Sequence, residues 1–162
     1  MAIDQNIISV NMAEMRIAHA LAFFRTVLGS CIGVFVYDIK LKIGGLLHLM
    51  LPEHPDSDNF NVAKYADSGI PALIEAVCRE GANRKNLICK LSGGAKMFSG
   101  FSSNSIVDIG SRNQAAVSEK LKELGLRVVA SDLGGETGRK ILVDLSNGKL
   151  TVLHFNVGEK VI

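Results

Sequence analysis

The stretch from Thr26 to Asp38 constrains the fold of this chain more than any other feature. It ends in a β-branched and aromatic run that is apolar at both odd and even positions. A strand with one face in water alternates apolar with polar residues, so this pattern predicts a strand that is covered on both faces.

Two hairpins follow from the neighbouring patterns. Residues Ile39 to Lys42 turn the chain back into a second apolar strand, Ile43 to Leu51. Near the end of the chain, Asn147-Gly148 joins two further strand candidates, residues 141–145 and 149–155. Asn-Gly between apolar runs is a strong hairpin signal.

Helical spacing marks two other regions. Apolar residues recur at helical intervals over residues 62–80, with Pro71 as a kink or boundary that leaves one helix or two short ones. Residues 114–124 form an amphipathic pattern that Gly125 ends. With short strands predicted at residues 86–91 and 127–130, the fold class is α+β: layered, antiparallel or mixed sheets with helices packed on the outside.

Length and composition indicate one domain. A chain of 162 residues with 48% hydrophobic and 21% charged residues buries one core, so we expect a single domain over residues 1–162. Residues 1–22 have no assigned place in it, and residues 12–17 fit a strand or a helix. Eighteen basic and 16 acidic residues leave a charge of +2 without long blocks of like charge, which predicts neither a nucleic-acid partner nor insertion into a membrane.

The compartment is expected to be the cytoplasm. The start of the sequence lacks the basic and apolar regions of a secretory signal, and its most apolar stretch is too short to span a bilayer. The odd number of cysteines argues against a disulfide framework. Cys78 and Cys89 are interpreted as buried hydrophobic residues. No metal-ligand spacing or phosphate-loop motif is present, so no metal or cofactor is predicted.

Cys31 is the candidate nucleophile. It follows Gly29-Ser30 and opens an apolar strand, and backbone N–H groups at such a junction can remain unpaired and form an oxyanion hole. A free thiol with a pKa near ~8.5 is mostly protonated at neutral pH, so a catalytic cysteine needs a base. The competing interpretation is an inert core thiol.

His48 is the candidate base because of hairpin geometry. Directly opposed residues of an antiparallel pair have position numbers with a constant sum. For a sum of 79, Cys31 faces His48; for 81, the two are diagonal neighbours on one face; for 80, they point to opposite faces. The sequence leaves all three registers open, as well as a purely structural histidine. Thr26 is placed to orient the imidazole through its hydroxyl.

Other polar residues receive structural interpretations. Arg112-Asn113, just before the second helix, would cap it or contact a partner. His154 in the last strand is expected to be structural.

Six short motifs occur in an order that resembles the CheD family of chemoreceptor glutamine deamidases. They are Thr26-Val-Leu-Gly-Ser-Cys-Ile-Gly-Val34, Gly44-Gly-Leu-Leu-His-Leu-Met-Leu-Pro52, Lys64-Tyr-Ala-Asp67, Gly93-Gly-Ala95, Ile109-Gly-Ser-Arg-Asn113 and Asp132-Leu-Gly-Gly135. The resemblance runs from Thr26 to the end of the chain.

The resemblance implies hydrolysis of glutamine side chains to glutamate on methyl-accepting chemotaxis receptors. It implies Cys31 as nucleophile, His48 as base and Thr26 as the third catalytic residue. From the position of the junction we predict that the backbone at Gly29, Ser30 and Cys31 binds the oxyanion. Two alternatives remain. The first is a regulatory binding protein for receptors or for the phosphatase CheC, and the second is a cysteine protease or a transglutaminase-like acyltransferase.

Overall fold

The computed structural model describes residues 6–97 and 108–162. In these residues the chain forms ten strands, two α-helices and two short 3-10 helices, at Val62–Lys64 and Arg84–Asn86. In chain order the strands and helices are β1 Ile7–Ser9, β2 Glu14–His19, β3 Phe23–Leu28, β4 Ile32–Asp38, β5 Ile43–Leu49, α1 Ala66–Arg79, β6 Leu87–Gly93, α2 Ile109–Glu123, β7 Arg127–Leu133, β8 Arg139–Asp144, β9 Lys149–His154 and β10 Gly158–Val161.

The strands form two five-stranded mixed sheets. The first sheet has the order β1-β3-β8-β9-β10 and the second has the order β2-β5-β4-β6-β7. Both α-helices contact strands of the second sheet, so the molecule has three layers: helices, second sheet and first sheet. This confirms the predicted α+β layered class.

Strand β4 is central, as its apolar pattern predicts, and all seven of its residues are buried. Ile32, Val34 and Val36 pack in the core that includes both helices. Phe35 and Tyr37 point the other way, into the core between the two sheets. The run is apolar at both odd and even positions because the two sets of side chains face different cores.

The first residues of the chain also have a place in this architecture. Strand β1 pairs in parallel with β3 in the first sheet, and β2 pairs with β5 in the second. Residues 12–17 therefore lie largely in a strand, and the described part of residues 1–22 links the two sheets.

The structure refines two predicted boundaries and corrects a third. Thr26 to Leu28 belong to β3 of the first sheet, and the chain crosses to the second sheet through residues 29–31. Of the two possibilities left open around Pro71, one helix or two short ones, the structure has one continuous helix α1, with a 3-10 turn before it. Helix α2 begins at Ile109 rather than at residue 114, because the Asp108 side chain accepts a hydrogen bond from the Ser111 N–H and caps it.

The predicted hairpins are both confirmed as β4–β5 and β8–β9. No helix in residues 6–97 or 108–162 is long and apolar enough to cross a lipid bilayer.

Candidate functional site

Cys31 lies at the end of the crossover between the two sheets, directly before β4. Its side chain is half-buried and packs against the core between the sheets, on the face of Phe35 and Tyr37. The end of β6 approaches it closely: a Cβ atom on Gly93 would collide with the carbonyl oxygen of Cys31. Gly93 also has a φ of +113°, so only glycine fits beside the candidate nucleophile.

His48 occupies the same face of the same sheet. In the β4–β5 hairpin, Gly33 is opposite His48 and Ile32 is opposite Leu49, pairs whose numbers add to 81. Cys31 and His48 are therefore diagonal neighbours on the face between the sheets, as one of the three predicted registers requires. Thr26, on β3 of the first sheet, lies across the interface from His48.

A buried hydrogen bond joins Thr26 to His48 and fixes the form of the imidazole. The Thr26 hydroxyl donates to the carbonyl oxygen of Val10 at 2.6 Å and lies 2.8 Å from Nδ1 of His48. A hydroxyl has only one hydrogen to donate, so Nδ1 must carry the proton and donate to Oγ1 of Thr26. In the neutral ring Nε2 is then the basic atom.

Both groups of the candidate dyad are neutral at rest. Burial raises the pKa of the Cys31 thiol, and its own backbone N–H offsets this by a smaller amount. Burial lowers the pKa of His48, while the nearby Val10 backbone partly opposes the change. A protonated thiol beside an unprotonated imidazole is the starting state for general-base activation.

The basic atom of His48 is not engaged by another group of the described residues. Nε2 is buried and has no hydrogen-bond partner among the described residues, and no hydrogen bond joins it to Cys31. Catalytic hydrogen bonds are often long before substrate binds and tighten in the complex. A cavity of about 520 Å³ adjoins the imidazole, but Cys31 does not line it; its lining is Ser9, Val10, Asn11, Met12, Arg25, Thr26, Val27, His48 and Lys140.

Two backbone donors of the crossover lie outside the regular pairing of the sheet. No backbone acceptor within residues 6–97 and 108–162 pairs with the N–H groups of Ser30 and Cys31. Gly29 precedes them and is held by the Ala95 N–H, which donates to its carbonyl oxygen at 2.9 Å. Two free N–H groups beside a thiol are the arrangement that binds a developing oxyanion.

Asn113 is the site residue that sequence reasoning missed. Its side chain is fully buried and donates to the carbonyl oxygens of Ser30 at 3.0 Å and Met50 at 2.9 Å, so it neither caps α2 nor lies at a surface. A signal was available: Asn113, Val117 and Leu121 recur every four residues, and all three lie on the buried face of α2. Arg112, its neighbour, is exposed.

The other singled-out residues have structural surroundings. Nε2 of His154 lies 2.8 Å from a carboxylate oxygen of Asp132, which agrees with the structural interpretation. Cys89 is fully buried, and burial raises its pKa. Cys78 is only half-buried, because it packs at the margin of the helix-side core. The described residues contain no group of three or more His, Cys, Asp or Glu side chains placed to hold a metal ion.

Comparison with known proteins supplies independent evidence on ancestry. Residues 50–154 match the family model described as CheD chemotactic sensory transduction. A protein of Caldanaerobacter subterraneus subsp. tengcongensis is 44% identical over 161 residues, 98% of this chain and 99% of that one. Proteins of Methanococcus vannielii (40% identical; 90% of this chain, 94% of that one) and Desulforamulus reducens (41%; 96% and 95%) are also similar.

All three relatives carry the name "Probable chemoreceptor glutamine deamidase CheD". The family model covers about two thirds of this chain, and the relatives extend the similarity over nearly all of it, including the segment with Cys31 and His48. The chain therefore belongs to the CheD family.

Proposed function

We propose that this protein hydrolyses glutamine side chains of methyl-accepting chemotaxis receptors to glutamate, with Cys31 as nucleophile and His48 as general base and acid. The observation that carries the mechanism is the Thr26–His48 hydrogen bond. It puts the proton on Nδ1, and Nε2, on the face that Cys31 shares, has no partner in residues 6–97 and 108–162. The names of the relatives support the receptor as the substrate.

In the first half of the reaction, Nε2 of His48 takes the thiol proton while the sulfur attacks the carboxamide carbon. The N–H groups of Ser30 and Cys31 stabilise the oxyanion of the tetrahedral intermediate. His48 then returns the proton to the amide nitrogen, the C–N bond breaks, ammonia leaves and a thioester remains.

In the second half, water attacks the thioester while His48 accepts one of its protons. The C–S bond breaks, the thiol regains its proton and a glutamate side chain is released. The net reaction consumes one water and yields one ammonia per glutamine, and no other reactant is needed.

The test is mass spectrometry of a chemoreceptor cytoplasmic fragment after incubation with the protein. Each converted glutamine adds roughly one dalton as amide becomes acid. We expect the gain with the wild type and with the Cys78→Ala control, which changes another half-buried cysteine, and no gain with Cys31→Ala. Deamidation by Cys31→Ala at the wild-type rate would reject the proposed nucleophile.

The same experiment separates the alternatives. Tight binding of the fragment without ammonia release would favour a regulatory binding protein, and capture of CheC in place of receptor would identify its partner. Cleavage of the fragment, or incorporation of an added amine, would indicate a protease or an acyltransferase. We also propose a cytoplasmic location, in keeping with its free cysteines.

A further inference from the structure

The first residues of β4 depart from regular pairing on the side of β5. In this register Ser30 is opposite Leu51, and the next ladder bond would join the Leu51 N–H to the Ser30 carbonyl oxygen. The Leu51 N–H instead donates to Lys64, at 3.1 Å, and the Leu51 carbonyl accepts from Ala66, at 2.9 Å. Asn113 supplies the missing donor to Ser30, and the Ser30 N–H keeps no ladder acceptor.

The same departure occurs on the side of β6. The Gly94 N–H donates to the Cys31 carbonyl oxygen at 2.9 Å, and the reciprocal bond of an antiparallel pair would join the Cys31 N–H to the Gly94 carbonyl oxygen. That oxygen accepts a hydrogen bond from Nε2 of Gln114 at 2.8 Å. The Cys31 N–H consequently has no backbone acceptor among the described residues.

Two consecutive side-chain amides of α2 thus lie on either side of the candidate nucleophile. The orientation of the Asn113 amide is unambiguous, because a flipped amide would place its oxygen against the carbonyls of both Ser30 and Met50. Its Oδ1 remains buried without a hydrogen-bond partner in the described residues. The two donor bonds satisfy buried carbonyl oxygens, whereas the unsatisfied acceptor is unfavourable for folding.

We propose that Asn113 and Gln114 are positioning residues that keep the N–H groups of Ser30 and Cys31 unpaired and available to the oxyanion. Asn113 bridges Ser30, just before β4, and Met50, just after β5, and so keeps these two segments from pairing directly. Gln114 holds the Gly94 carbonyl oxygen away from the Cys31 N–H, with which it would otherwise pair. This inference rests on the proposed function, because an oxyanion forms only if Cys31 attacks a carbonyl group.

The test uses the full chain with Gln114→Ala and the near-isosteric Asn113→Asp, which keeps the volume but replaces the donor by an acceptor. In Gln114→Ala the Gly94 oxygen becomes free, so hydrogen exchange of the Cys31 N–H should slow by about tenfold or more. In both variants kcat for ammonia release from the receptor fragment should fall about 10²- to 10³-fold, with KM within about twofold.

Alkylation of Cys31 by iodoacetamide separates positioning from general damage. This reaction forms no oxyanion, so its rate should fall far less than kcat in both variants. Asn83→Asp is the matched control at the opposite end of the sheet. Asn83 accepts a hydrogen bond from the Lys85 N–H through Oδ1, and an aspartate accepts it equally well.

The proposal is overturned if kcat is unchanged in both variants, if alkylation falls by the same factor as kcat, or if exchange of the Cys31 N–H is unaltered in Gln114→Ala. A wild-type protein that releases no ammonia would instead refute the proposed function, and the exchange measurement would still test the role of the amide pair.

Discussion

Two histidines of this protein both have a threonine hydroxyl beside Nδ1, but they differ in what lies beside Nε2. Nδ1 of His48 lies 2.8 Å from the hydroxyl of Thr26, and Nδ1 of His154 lies 3.4 Å from the hydroxyl of Thr137. Nε2 of His154 is paired with Asp132 at 2.8 Å. Nε2 of His48 is buried and has no partner in the part of the chain that the structure describes.

The difference lies in what each ring can still do. The carboxylate beside His154 is also bound by Arg139 at 2.8 Å and Lys160 at 2.6 Å, so this ring belongs to a polar network that ties β7 to β8, β9 and β10. In the ring of His48, Nδ1 is hydrogen-bonded to Thr26, whereas Nε2 has no partner among the described residues. A histidine with both nitrogens bound stabilises structure, whereas one with a fixed tautomer and a free basic nitrogen can transfer protons.

The largest effect is expected at His48, whose Nε2 has no partner among the described residues. His48→Gln keeps similar bulk but cannot accept the thiol proton, so kcat for receptor deamidation should fall by about 10³-fold or more. His154→Gln should remain within about threefold of wild type, because its ring does not contact the reacting atoms. Steady-state ammonia release measures both variants, and equal losses would remove the distinction between the two histidines.

The next effect concerns the network around Asp132 and is a loss of stability. Asp132→Asn leaves the buried guanidinium of Arg139, which is 1% exposed, without its counter-charge. The free energy of unfolding in urea should fall by about 3–5 kcal/mol. Glu123→Gln, which breaks an exposed pair with Lys120, should cost less than about 1 kcal/mol. Similar losses in both variants would contradict a structural role for the network.

The network also predicts acid sensitivity. Burial alone would raise the pKa of Asp132, but Lys160, Arg139 and His154 together lower it below its usual value. A carboxyl group with a lower pKa when folded stabilises the protein above its unfolded pKa, and this contribution is lost as pH falls through the folded pKa. In acid, wild type should therefore approach the stability of Asp132→Asn; a difference that persists unchanged would disprove this linkage.

A smaller effect is expected from removing the threonine hydroxyl that lies beside Nδ1 of His48. Thr26→Val removes the acceptor for the His48 Nδ1–H, so kcat should fall about tenfold to a hundredfold, while Thr26→Ser should retain most activity. Thr137→Val is the matched change at the other histidine and should have little effect on kcat. Wild-type activity in Thr26→Val would show that the imidazole needs no orienting partner.

The smallest effect is a displacement of the pH profile. Burial lowers the pKa of His48 from its ordinary 6.5, and only the unprotonated ring acts as a base. The acid limb of kcat/KM should therefore lie below pH 6.5. His54→Gln, a change at a more exposed histidine, should leave the limb in place, and a limb above pH 6.5 would contradict the lowered pKa.

Much of the fold was predictable, and the register was not. The hairpins β4–β5 and β8–β9 follow from apolar runs with turn residues between them. The run from Ile43 to Leu49, however, is buried on both faces. It therefore has no alternation of apolar and polar residues from which the register could be predicted. Only the paired backbone shows that Cys31 and His48 share a face.

The polar parts of the site were partly beyond sequence reasoning. Thr26 was placed near His48, although it lies in the other sheet and contacts the ring across the interface. Asn113 was misjudged because the start of α2 was set after it. The predicted helix lacked the turn that the Asp108 cap begins, and so the buried position four residues before Val117 went unrecognised.

The central claim, that the Cys31 thiol attacks a glutamine carboxamide with the help of His48, is tested most directly by covalent labelling. The probe is a receptor peptide in which 6-diazo-5-oxonorleucine replaces the target glutamine, so that an electrophilic carbon stands near the position of the amide. We predict that mass spectrometry finds the peptide on Cys31, with much slower labelling in His48→Gln and none on Cys78 or Cys89. Labelling of another residue, or labelling of Cys31 at the same rate without His48, would contradict the account.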